Sequence, residues 1–181
     1  MVRMVLISGK AEHGKTAFGD IIKDELREMG FRVTTYPFAR YLKFIAQEHF
    51  GWNGEKDVAG RELLQWLGTD VVRKSNPDYW ANTVVEFAHT FRGTFDYIIC
   101  DDTRFPNEVT NFGAVGIDVF PIRVVRPGHV SRLTTEQMAH PSETALDGFS
   151  GFEYIYNDGN LDALRIEANR LIDKNAFFRV R

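Results

Sequence analysis

Eight residues near the N-terminus, Gly9-Lys10-Ala11-Glu12-His13-Gly14-Lys15-Thr16, constrain the fold of this chain more than any other stretch. They match G-x-x-x-x-G-K-[ST], a loop whose backbone N–H groups turn inward around a phosphate. The flanks fit the motif as well. Upstream, Val2–Ile7 is a continuous apolar run with the length and composition of a buried parallel strand. Downstream, Thr16–Met29 has helical periodicity and stops at Gly30. Strand, glycine loop and helix in that order set a helix N-terminus, with its favourable dipole, against a bound anion. Lys15 is expected at the β- and γ-phosphates and the Thr16 hydroxyl at Mg²⁺, with Gly9, Lys10, His13 and Gly14 completing an ATP cradle. The motif implies a bound nucleoside triphosphate.

The rest of the chain repeats this alternation. Arg32–Tyr36 reads as a second strand and Phe38–Phe50 as a helix, with further helices over Glu62–Arg73 and Tyr79–Phe91. A third strand, Phe95–Cys100, ends on Asp101-Asp102, followed by a short helix over Pro106–Phe112 and a fourth strand over Phe120–Val125. Phe152–Tyr156 is the fifth strand, and Leu161–Lys174 is an amphipathic helix capped by Asn160. Such alternation predicts an α/β fold of the P-loop NTPase type, a parallel five-stranded sheet flanked by helices. Ligands in such sheets bind at the carboxyl ends of the strands. The least structured stretch, Arg126 to Glu143, follows a strand and reads as a short lid.

Composition narrows the field. With 181 residues, 44% of them hydrophobic, the chain suits one domain over 1–181 with a sizeable core. A net charge of −3 and a pI near 6.0 oppose general affinity for nucleic acid or an anionic membrane. The lone Cys100 excludes an internal disulfide framework, and no targeting segment or membrane-spanning run is apparent, so a cytoplasmic protein is expected. The high aromatic content is compatible with a homodimer.

A P-loop alone leaves several kinase and GTPase families open. Four further segments choose among them: Phe38-Ala39-Arg40-Tyr41-Leu42-Lys43; Gly60 to Asp70 with Leu63-Leu64-Gln65, leading to Arg73 and Asp78-Tyr79-Trp80; Asp101-Asp102-Thr103-Arg104-Phe105-Pro106-Asn107-Glu108; and His140-Pro141-Ser142-Glu143 with Leu146-Asp147 and Phe152-Glu153-Tyr154. In this order they resemble the phage-type deoxynucleoside monophosphate kinases, a branch of the P-loop nucleotide kinases, from the P-loop to about Asn157. That family usually has small residues where Glu12 and His13 stand. The resemblance implies ATP-dependent transfer of a phosphoryl group to a deoxynucleoside monophosphate, assisted by Mg²⁺. It also implies a helical acceptor-binding region at about 38–92, a lid at about 126–143, and the host cytosol as location if the chain is phage-encoded.

On this reading Lys15, Asp102, Arg104 and Arg126 are the catalytic candidates, with Asp102 (Asp101 being next) directed at the metal through water. Arg104 points at the transferring or acceptor phosphate, or else forms a surface ion pair with Glu108. Lys43 and Arg73 are acceptor-phosphate candidates, and Gln65 reads a base edge through its amide. Trp66 and Trp80 either stack on a base or, more often for large aromatics, fill the core. Arg132 joins Arg126 in the lid, on the ATP side. Glu108, Ser142 and Glu143 belong to the acceptor side by resemblance, and Ser142 could instead be a helix N-cap. Cys100 reads as a buried apolar residue.

Animal phosphomevalonate kinases share the Asp-Thr-Arg and Ser-Glu elements and are the runner-up. A P-loop switch without turnover is opposed by the presence of Lys15, Thr16, Asp102 and Arg104 together. A nucleic-acid-dependent ATPase fits poorly with the acidic balance.

Overall fold

The computed structural model describes residues 2–179; the ends of the expected 1–181 domain lie outside the described residues. The chain runs β1 (Arg3–Ser8), α1 (Lys15–Glu28), β2 (Val33–Thr35), α2 (Ala39–Phe50) and α3 (Val58–Gln65), then a π-helical stretch, Trp66–Arg73. It continues with α4 (Tyr79–Thr90), β3 (Tyr97–Thr103), α5 (Asn107–Ala114), β4 (Asp118–Val125), α6 (Thr135–Ala139) and α7 (Pro141–Thr144). Last come β5 (Glu153–Tyr156), α8 (Leu161–Lys174) and a 3₁₀ turn, Ala176–Phe178. The five strands form one sheet in the order β2-β3-β1-β4-β5, every neighbouring pair parallel.

Side chains of β1 alternate between two cores. Val5 and Ile7 join α1 and α8 through Phe18, Ile22, Leu164 and Leu171. Met4 and Leu6 face α4 and α5 through Val84, Ala88, Val109 and Phe112. Helices cover both faces, which is why β1 reads as an unbroken apolar run instead of an alternating one. A third cluster, with Leu42, Ala46, Trp52, Leu67 and Trp80, holds the helical region between β2 and β3 together.

Two expectations about elements need correction. The helix predicted over Glu62–Arg73 is an α-helix only to Gln65 and a π-helix beyond it. Gly68 lies in that wider turn, where an added Cβ would stand 2.8 Å from a Leu42 methyl. The Gly68 carbonyl accepts from the Trp80 indole at 2.9 Å. A residue without a side chain and an outside donor thus let the helix widen there. The third strand does not stop before the acidic pair but runs through Thr103, so Asp101 and Asp102 belong to the strand and point to opposite faces. Asp101 lies against Gly19 of α1, and Asp102 against the start of α2. Among the described residues no helix is long and apolar enough to cross a membrane.

Candidate active site

The P-loop closes tightly on the sheet. A Cβ at Gly9 would collide with the Val124 carbonyl, and Gly14 adopts φ 95°, so both glycines are required by the backbone. Glu12 also takes a left-handed conformation, φ 64°. Lys15 folds back over the loop, its Nζ donating to the Gly9 and Lys10 carbonyls at 2.9 and 2.7 Å. Burial, reinforced by the nearby Arg104 guanidinium, lowers its pKa to about 7. Thr16 is exposed at the start of α1.

Beside the carboxyl end of β3 lies a cavity of about 180 Å³, walled by α2, α3, the π-helical stretch, the β3–α5 turn and α7. Lys43, Lys56, Arg61 and Arg104 all line it. Burial depresses the Lys56 pKa, and the like charges of Lys43 and Arg61 add to the effect. Lys56 and Arg61 escaped the sequence reading; their signal is no more than a basic pair around the start of α3.

Arg104 meets Glu143, not Glu108: its Nη1 lies 2.6 Å from Glu143 Oε1 and also donates to the Ser142 carbonyl. Glu108 is buried in the same cavity's lining, paired with Arg73 and accepting from the backbone N–H groups of Arg104 (2.6 Å) and Phe105 (3.1 Å). Arg73 lines the cavity as well. Its guanidinium stacks 3.8 Å from the Phe105 ring centroid and donates to Pro77 and Asn107 as well as Glu108, so these contacts fix it in the cavity floor. Stripping water from both partners pushes the Glu108 carboxyl up and the Arg73 guanidinium down.

The remaining candidates divide. Gln65, Ser142 and Glu143 line the cavity, and Gln65 Nε2 lies 3.5 Å from Ser142 Oγ. Trp80 is buried and forms part of the wall. Trp66 is neither core nor cavity wall: it is 46% exposed and meets only the edge of Phe50 among rings. The helix widening that sets Gly68 inward leaves Trp66 on the outside. Asp102 lines the cavity, and its carboxylate accepts from Phe38 and Ala39 N–H at 2.8 and 3.0 Å, holding the start of α2. Burial, and then Asp101, raise its pKa. Ser142 is not an N-cap; His140 is, its ring nitrogen accepting from the Ser142 N–H.

Arg126 also stands apart. It is exposed and lines a second, polar depression of about 330 Å³ with His129, Asn157 and Asp158. Sheet order explains this: β3 and β4 flank β1 on opposite sides, so residues after β4 fall on the far side of the P-loop from the cation-lined cavity. His13 borders this second depression, its Nδ1 accepting from Arg126 N–H and its carbonyl from Asn157. Arg132 is 85% exposed and pairs with Glu12 at 2.8 Å, which also meets His129 at 3.1 Å. Lys10 is held on the α7 side of the loop. Its Nζ donates to the Glu143 carbonyl and to Asp147, both at 2.6 Å, tying the P-loop to α7.

The sequence model of deoxynucleotide monophosphate kinases matches residues 33–167. The chain belongs to that family. This kinase therefore phosphorylates deoxynucleoside monophosphates, and the matched residues take in the whole cation-lined cavity, while the P-loop lies before them. No curated protein matches the chain. Among solved structures, an unliganded Janibacter sugar kinase is 13% identical, with 100% of each chain covered and a TM-score of 0.54, a likeness of fold. The Mycobacterium tuberculosis APS kinase CysC is also similar. Its complex with AMPPNP and APS is 12% identical, with 94% of this chain and 95% of that one covered and a TM-score of 0.47.

Proposed function

We propose that this kinase passes the γ-phosphoryl group of ATP directly to the phosphate of a deoxynucleoside monophosphate seated in the cation-lined cavity. One observation carries the reading. The Glu143 carboxylate spans the two half-sites, accepting from the P-loop N–H of Ala11 at 3.1 Å and meeting Arg104 at 2.6 Å. A single anionic group bridging loop and guanidinium marks how closely donor and acceptor phosphates would approach. Charge is the chief obstacle in this reaction, since both reactants are anions and the transition state spreads charge over three oxygens. Lys15 on the donor side, with Lys43, Lys56, Arg61 and Arg104 on the acceptor side, supplies the countercharge. No general base is needed, because the acceptor phosphate has its second pKa near 6 and is already a nucleophile at neutral pH.

Among the described residues no three His, Cys, Asp or Glu side chains gather as a metal cage. That suits Mg²⁺ held mostly by phosphate oxygens and water, with the exposed Thr16 hydroxyl and, through water, Asp102 as protein ligands. Bound there, the ion would neutralise charge on the β- and γ-phosphates. The polar depression by Arg126 and His129 receives the nucleotide base of the donor. Arg126 and Arg132 then act from the donor side, closing the 126–143 segment over the phosphates.

The test is ADP release from Mg-ATP with each deoxy- and ribonucleoside monophosphate and with phosphomevalonate, beside a Lys15→Ala control. Turnover with deoxynucleotides that the control lacks is expected. Turnover with phosphomevalonate alone would contradict the assignment, as would ATP binding with no turnover on any acceptor.

A further inference from the structure

His140 and Ser142 form a hydrogen-bonded pair beside the cavity, with Ser142 on its wall. The Ser142 backbone N–H lies 3.2 Å from His140 Nδ1 and can only donate, so that nitrogen carries a lone pair. The ring proton of the neutral imidazole then sits on Nε2, which is buried without a hydrogen-bond partner among the described residues and faces Asp70 Oδ2 at 4.0 Å. Burial depresses the His140 pKa, with Asp70 and Glu143 the charged groups around it, so the ring stays neutral at physiological pH. The Ser142 hydroxyl, 2.8 Å from the same Nδ1, must turn its hydrogen toward the ring. Its oxygen accepts from the Gln65 amide at 3.5 Å and has a second lone pair left for the cavity that Ser142 lines. The Ser142 hydroxyl therefore accepts a hydrogen bond from the cavity and cannot readily donate one.

Ser142 also sits at a definite level of the cavity. Arg104, which donates to its carbonyl, belongs to the cation end where a phosphate would lie. Gln65, on its other side, leads along the helix to Gly68 and the Trp80 wall. A nucleotide with its phosphate at the first end and its base at the second puts its sugar against Ser142. A deoxynucleotide's sugar offers one hydroxyl donor, at the 3′ position.

We propose that Ser142, its hydroxyl oriented by His140, recognises the sugar 3′-hydroxyl of the acceptor deoxynucleotide, with His140 as a positioning residue. This rests on the acceptor-cavity reading above. The experiment compares kcat/KM for each deoxynucleoside monophosphate and its 2′,3′-dideoxy counterpart. The two substrates differ only in the hydroxyl, so the ratio is insensitive to a general loss of folded or active protein. The wild type should favour the hydroxylated substrate about tenfold, or 1.4 kcal/mol. Ser142→Ala should reduce that preference to within about twofold, chiefly by weakening the deoxynucleotide. His140→Asn keeps both a helix cap and an acceptor at this position and should retain most of the preference, whereas His140→Leu should lose it. A wild type that does not discriminate, a Ser142→Ala variant that still does, or one that changes the order of bases instead would overturn the proposal while leaving the kinase reading intact. Absence of turnover on every deoxynucleotide would overturn both.

Discussion

The P-loop cradle and the cation-lined cavity, the proposed donor and acceptor halves of this site, are built by different means. The donor cradle is one contiguous loop, Gly9 to Thr16, whose shape comes from backbone conformation and from two glycines that no other residue can replace. The acceptor cavity is assembled from α2, α3, the π-helical stretch, the β3–α5 turn and α7, and its shape comes from side chains that hold one another. In the cradle a cation, Lys15, is kept in place by carbonyl oxygens of its own loop. In the cavity a buried ion pair, Arg73 with Glu108, forms the floor and fixes the turn that presents Arg104. Damage to the cradle should therefore reach catalysis while sparing the fold, and damage to the cavity floor should do the reverse.

The largest effect that tests this contrast is Arg73→Met. It leaves Glu108 buried without its partner, and breaking such a pair costs about 3–5 kcal/mol. Thermal denaturation at pH 8 should show a midpoint lower by about 10 °C. The loss should be smaller at pH 5.5, because burial already raises the Glu108 pKa and the orphaned carboxyl takes up a proton. An equal loss at both pH values would show that the pair does not hold the floor.

Lys15→Ala should lower kcat about 10²–10³-fold. The folded protein lowers the Lys15 pKa to about 7 from 10.5, so the charged form is disfavoured by folding and stability contributed by this group rises with pH across that window. The variant should accordingly be no less stable than the wild type at pH 7, with any advantage shrinking toward pH 10. A variant that unfolds easily would blur the contrast between the halves. The same shift predicts proton uptake on ATP binding at pH 8, where the free lysine is mostly neutral and phosphates restore its charge. Calorimetry in buffers of different ionisation heat should detect uptake in the wild type in excess of that in Lys15→Met.

Trp66→Ala gives the smallest effect. Exposed and outside the cavity, Trp66 should alter stability by no more than about 0.5 kcal/mol and leave kcat/KM unchanged. A large rise in KM for the acceptor would return Trp66 to the site.

The contrast also explains what could be read from the sequence. The cradle was legible because all its information lies in eight consecutive residues and two flanking elements. The parallel sheet was legible from the continuous apolar strands that two-sided burial demands. The cavity was legible only as a set of motifs. Arg104 and Glu108 were recognised, but nothing local says that Glu108 pairs with Arg73, 35 residues earlier, and leaves Arg104 to Glu143. The position of Arg126 could not be read locally because it depends on strand order, which puts β4 on the opposite side of β1 from β3. Lys56 and Arg61 were missed because a basic residue at a helix start is commonplace until the fold brings four such residues to one cavity. The π-helical turn had no signal beyond Gly68.

The central claim is that cradle and cavity face each other across Arg104 and Glu143, and that the phosphoryl group crosses between them without resting on any side chain. The stereochemical course at phosphorus tests this most directly, with ATP made chiral at the γ-phosphorus by sulfur and oxygen isotopes and a deoxynucleoside monophosphate as acceptor. One in-line displacement inverts the configuration, and inversion is the result expected. Retention would require a phosphorylated enzyme between two displacements and would contradict the account.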